Sequence, residues 1–84
     1  MEIMTDSVLR ILTEIRPEFD FSQKVNFIEQ GMIDSFDLIL LVSELDAVFG
    51  ISIDGVDIVP ENFSSVNQIV EMLTKNGAKN ELHL

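Results

Sequence analysis

The run Gly31-Met32-Ile33-Asp34-Ser35-Phe36-Asp37-Leu38 holds the residue types that can do chemistry in this sequence. A glycine-led turn leads to an Asp-Ser step and then, at once, to an apolar helical pattern. Asp34 or Ser35 is a natural N-cap, because either side chain can accept a bond from an amide of the first turn. The Ser35 hydroxyl therefore lies where the positive end of a helix points. An anionic group on that hydroxyl would be stabilised by unpaired amides and by the helix dipole. A hydrolase-type nucleophile is a poor reading of the same serine. It would need a base and an orienting third group. There is no Gly-x-Ser-x-Gly elbow, and the one histidine, His83, is next to last in the sequence. An isolated Asp-Ser pair would be no more than a helix cap.

The elements around this run follow from periodicity. Val8, Ile11, Leu12 and Ile15 recur at helical spacing and predict a first helix, which starts between Ile3 and Thr5 and stops before Pro17. Glu2 and Asp6 near its start and Arg16 near its end suit the helix dipole. From Pro17 to Met32 the pattern reads as a long loop with one helical turn. Phe19, Phe21, Val25, Phe27 and Ile28 are expected to pin it across the helices, with Gly31 as the turn residue before the site. A second helix is predicted from Ser35 to Phe49. Leu38, Leu41, Val42, Leu45, Val48 and Phe49 gather on one side as its core stripe. Phe36, Ile39, Leu40, Ser43 and Ala47 gather on the other. That outer side is mostly apolar and is flanked by Asp34, Asp37, Glu44 and Asp46, the pattern of a partner-docking face. Gly50 closes the helix. Ile51-Ser52-Ile53 is one short extended segment, and Asp54-Gly55 is a turn. Val59 to Phe63 reads as a short helix with Pro60 at its first position. Ser65 and Gln68 have capping-box spacing, ahead of a last stripe of Val66, Ile69, Val70 and Leu73. Asn76-Gly77 stops that helix, and 78–84 is expected to be a frayed tail after a domain spanning 1–77.

Composition narrows the function classes. The 84 residues make one small domain, and 46% apolar content is enough for one compact core. Fifteen acidic against 5 basic residues give a net charge of -10. Such a surface argues against nucleic acid and favours steering toward basic partners. With no cysteine there is no disulfide and no thiolate metal site, so any thiol chemistry must be supplied from outside the sequence. Asp54, Asp57 and Glu61 lack the ligand order of an EF-hand and read as a solvated acidic loop, so no metal site is expected. Met72 reads as a core filler rather than a cofactor contact. No stretch is long and apolar enough to span a membrane, and the N-terminus does not read as a signal peptide. A monomeric cytoplasmic protein is expected.

The pattern Gly-x-x-Asp-Ser-(apolar)-Asp-(apolar), with a helix ending Leu45-Asp46-Ala47-Val48-Phe49-Gly50, resembles the attachment site of acyl carrier proteins. The order of elements resembles that family from about Ile3 to Lys75. The resemblance implies an all-α fold: a small four-helix bundle with three longer helices, one short helix and a long first loop. It implies that Ser35 carries a 4′-phosphopantetheine arm through a phosphodiester, derived from coenzyme A by a separate phosphopantetheinyl transferase with magnesium. Asp34 would orient that site. The arm's thiol would hold acyl or aminoacyl groups as thioesters, and the carrier would itself be no enzyme. Its partners would be loading and processing enzymes with basic docking surfaces. Phe36, Ile39 and Leu40 would supply apolar contact to them, and Asp37, Glu44 and Asp46 would steer them. Phe27-Ile28 sits where the family has an apolar pair lining an inner cavity. The sequence departs from the common fatty-acid type. Phe36 stands where leucine is usual, and Leu40 and Ala47 stand where acids are usual. The Gly-Met-Ile-Asp-Ser-Phe run is also similar to D-alanyl carrier proteins. A free-standing carrier is therefore expected. Fatty-acid, aminoacyl and polyketide cargo stay open, and an unmodified helical adaptor is the alternative of a different class.

Overall fold

The computed structural model describes residues 3–79, and α1 spans Met4–Ile15 within them. Its apolar stripe folds inward as the spacing predicts. Met4, Val8, Ile11 and Leu12 are buried, with Ile15 half-buried beside them. Arg16 is the C-cap, at φ -133 and ψ 78. The following Pro17 crowds the helical conformation at this residue, so the chain leaves the helix there.

The connection from 17 to 34 has no regular helix or strand of its own, and aromatic side chains hold it down. Phe21 and Phe27 are buried and meet edge-on with ring centroids 5.0 Å apart. Phe19 meets Phe21 edge-on at 6.2 Å. The expected single turn is present at 26–31, where the Gln30 amide donates to the Asn26 carbonyl at 3.0 Å. The Asn26 side chain caps it by accepting from the amides of Ile28 and Glu29. Gly31, at φ 72, ends the turn in the left-handed region that residues with a Cβ avoid. The Phe27 amide donates to the Ser64 carbonyl at 2.8 Å, which ties the loop to the far side of the fold.

The second helix, α2, spans Ser35–Phe49 and ends at Gly50, which takes a left-handed φ of 64. Leu38, Leu41 and Leu45 are buried, while Val42 and Phe49 are half-buried. Val48, expected in that stripe, is 43% exposed. The stripe drifts around the helix, and by the last turn position 48 has rotated off the core side. Beyond Gly50 the extended stretch pairs with no strand among the described residues; the Ile53 amide is held by the Asp46 carboxylate at 3.0 Å. The Asp54-Gly55 turn continues into a 3₁₀ turn at Gly55–Asp57. The expected short helix is also 3₁₀, at Pro60–Phe63 with Pro60 in its first turn. Four residues are too few to build a ladder of α-type bonds.

The third helix, α3, spans Val66–Lys75, and the Ser65 hydroxyl caps it by accepting from the Gln68 amide at 3.1 Å. Ile69, Met72 and Leu73 are buried. The helix ends in a Schellman arrangement. The Ala78 amide donates to the Leu73 carbonyl at 2.9 Å and the Gly77 amide to that of Thr74 at 3.0 Å. Ala78 is therefore packed and only 5% exposed, not the first residue of a frayed tail. The rest of that expectation, 80–84 with His83, lies outside the described residues. Helix α1 packs against both α2 and α3, and Pro60–Phe63 closes the core with the fully buried Phe63. The described residues thus form the all-helical bundle expected, with no strand. No helix among them is long and apolar enough to cross a membrane.

Candidate functional site

Asp34 is extended, at φ -117 and ψ -177, and Ser35 is the first residue of α2. A reciprocal cap fixes this start. The Asp34 Oδ1 accepts from the Asp37 amide at 2.9 Å, and the Asp37 Oδ2 accepts from the Asp34 amide at 3.1 Å. Capping boxes usually place Glu or Gln at this third helical position; here the shorter Asp37 fills it. The Leu38 amide donates to the Asp34 carbonyl at 3.1 Å. Of the first-turn amides that the sequence pattern left unpaired, the cap takes up that of Asp37, and Leu38 makes the first ordinary helical bond. These contacts hold the Asp34 carboxyl below its ordinary value, chiefly through the Asp37 amide, with further help from Arg16.

Arg16 joins this cap to the end of α1. Its Nε and Nη2 both lie 2.9 Å from Asp37 Oδ2, Nη2 is 3.4 Å from Asp34 Oδ2, and Nη1 is 3.2 Å from Glu18 Oε2. The guanidinium is held above its ordinary value, first by the bond to Asp37 and then by that to Glu18. Sequence reasoning gave Arg16 only a dipole role. The one signal available was a lone base between Arg10 and Lys24 in an acidic stretch. Its partners lie 18 and 21 residues away, a pairing no local pattern reveals.

The structure sorts the expected docking residues into two groups. Phe36, Ile39 and Leu40 are 69%, 65% and 43% exposed, and Ser35 is exposed as well. Glu44 is exposed beside them. Asp37 does not belong with them. It is 3% exposed and committed to the cap and to Arg16, so it has no free charge to show a partner. Asp46 is half-buried, and its carboxylate holds the Ile53 amide. In both cases a short acid at a helix position finds a local amide to accept, which outcompetes solvent.

The acidic stretch after Asp54 is likewise not simply solvated. Asp57 is 6% exposed and accepts from Lys75 Nζ at 2.8 Å and Asn76 Nδ2 at 3.1 Å. Lys75 first, then Asn76, holds its carboxyl below the ordinary value. Phe27 is fully buried, yet its surroundings open into a surface groove of about 550 Å³ between the first loop, α1 and the start of α3. Ile28 borders a second, smaller groove of about 240 Å³ with Pro60 and Glu61. Ser35 lines neither.

Residues 6–73 match the family described as a phosphopantetheine attachment site, well over half of the 84-residue chain. None of the curated proteins matches the chain. The all-helical bundle, the exposed serine at a capped helix start and this match agree, and the chain belongs to the phosphopantetheine attachment family, whose domains hold 4′-phosphopantetheine covalently.

Proposed function

We propose that Ser35 is the attachment residue and that the chain carries acyl or aminoacyl groups as thioesters on the arm it holds. The observation behind this reading is the placement of Ser35. It is exposed, opens α2 and stands beside a doubly bonded cap. The residues present fit the group. Nothing buries the hydroxyl, a phosphodiester there would face the helix's positive end, and a chain without cysteine lacks the thiol that the arm supplies when bound.

In the attachment step the Ser35 Oγ forms a bond to phosphorus. Its proton passes to a base on the transferase, and the bond from phosphorus to the nucleotide half of coenzyme A breaks. What the chain provides for this step is an exposed hydroxyl at a capped helix start. Phe36, Ile39 and Leu40 offer apolar contact to the transferase and to later enzymes, and Glu44 and the exposed Asp34 draw basic surfaces toward it. Affinity of this kind is moderate and salt-sensitive, which suits a carrier that must leave each enzyme. Leu40 and Ala47, standing where acids are usual, give the outer face a more apolar character than fatty-acid carriers usually have. That favours an aminoacyl or polyketide pathway over a fatty-acid one.

Incubation with coenzyme A, magnesium and a broad-specificity phosphopantetheinyl transferase, followed by intact mass, tests the assignment. One phosphopantetheinyl adduct is expected on the wild type and none on Ser35→Ala. A wild type that stays unmodified with several transferases would point instead to a helical adaptor.

A further inference from the structure

The surroundings of Ser35 carry an electrostatic problem. Asp34 and Asp37 already bring two carboxylates to the end of α2 that holds the serine, and Glu18 adds a third at the same guanidinium, in a chain of net charge -10. A phosphodiester on Ser35 would add a further negative charge to the same place. Among the ion pairs of the described residues, Arg16 is the cation that reaches these carboxylates; Lys75 serves Asp57 and Arg10 pairs with Glu14.

We propose that Arg16 is a positioning residue for attachment: from the end of α1 it fixes the turn that presents Ser35 and offsets the charge that the phosphodiester adds. The inference rests on the reading of Ser35 as the attachment residue. Its support is geometric. Three nitrogens of one planar group reach three different carboxylates, at 2.9, 3.4 and 3.2 Å. The Asp37 Oδ2 receives the Asp34 amide as well as Arg16, so the guanidinium and the cap hold the same oxygen. Moving Arg16 therefore moves the Asp34-to-Asp37 turn, and Ser35 lies inside that turn. The side chain is only 32% exposed, so a charge added nearby is not fully screened by solvent. A lysine would keep the charge but lose the fork, since an ammonium is a point donor.

The test uses the full chain as wild type, Arg16→Lys and Arg16→Met. Each is checked for folding by circular dichroism, then loaded from coenzyme A by a broad-specificity transferase at varied carrier concentration. Melting temperatures are then taken for the unloaded and loaded forms of each. At a temperature where it is folded, Arg16→Met should lose about tenfold or more in kcat/KM for loading, because small misplacement of a reacting group is costly. Its loaded form should melt below its own unloaded form, while loaded wild type melts at or above the unloaded one. Arg16→Lys should restore the melting difference and only part of the rate. A purely structural role would lower both forms of Arg16→Met equally and leave loading at the wild-type rate, and that result overturns the inference. Should Arg16→Met not fold, Arg16→Lys decides alone, and wild-type loading by it overturns the proposed fork. Absence of any adduct on the wild type is a separate outcome, and it removes the Ser35 assignment itself.

Discussion

Helices α2 and α3 solve the burial problem differently. In α3 polarity and burial agree: Ile69, Met72 and Leu73 are inside, while Asn67, Gln68, Glu71 and Thr74 are outside. In α2 they agree on one side only. Leu38, Leu41 and Leu45 are inside, but Phe36, Ile39, Leu40 and Val48 face solvent, and an aspartate, Asp37, is buried at its start. Folding alone explains α3. It does not explain exposed Phe36, Ile39 and Leu40, whereas buried Asp37 is accounted for by the helix cap and Arg16. Each helix also has an ion pair at one end, Asp37 of α2 with Arg16 and Lys75 of α3 with Asp57 of the 3₁₀ turn. Only the first pair adjoins Ser35. The contrast is the ground for the docking face proposed on the outer side of α2.

The contrast breaks most directly on the inner faces, where no difference between the helices is expected. Leu45 and Leu73 are both fully buried. Truncation of a buried leucine to alanine costs about 2 to 5 kcal/mol, and a domain this small has little more than that in total. Leu45→Ala and Leu73→Ala should each largely abolish the folded circular dichroism signal. If either variant melts like the wild type, its helix is not part of the core.

Acid sharpens the comparison at the end of α3. The folded Asp57 carboxyl is held below its ordinary value, so the unfolded chain takes up that proton first. The pair therefore adds stability above the unfolded value, near pH 4, and loses it as pH falls through the lower folded value. Melts of wild type and Asp57→Asn should differ most near neutrality and converge below about pH 4. A constant gap across that range would mean that the carboxylate charge contributes nothing.

A smaller effect is expected from salt. With 15 acidic and 5 basic residues the folded state repels itself near neutral pH. Added salt or magnesium should raise the melting temperature by screening or bridging acids. Unchanged melting would mean that ion pairs such as Arg16 with Asp37 already relieve the repulsion.

The smallest effect on stability is expected on the outer side of α2. Leu40→Ala should change stability by less than about 0.5 kcal/mol, as surface substitutions usually do. It should instead slow loading by a partner enzyme while Ser35 remains available. If Leu40→Ala proves as destabilising as Leu45→Ala, the outer strip is core and there is no docking face.

The sequence by itself determined the elements. Helical spacing located α1, α2 and α3, Pro17 and Pro60 marked a stop and a start, and Gly31, Gly50 and Asn76-Gly77 marked ends. These are local effects, set by backbone sterics and by which side chains fall on one face within a few turns. The Asp-Ser step, its cap and the apolar outer strip were legible for the same reason. Tertiary structure decided which charges are free. Asp37 and Asp57 are alike in sequence to the exposed acids around them, yet each is held by a cation brought near by folding, Arg16 and Lys75. Arg16 became part of the site only when α1 and α2 were packed together, and Ala78 joined the core only when the end of α3 closed over Leu73. A carboxylate's role depends on the donors within about 3 Å of it, and when those donors lie twenty residues away along the chain, only the fold supplies them.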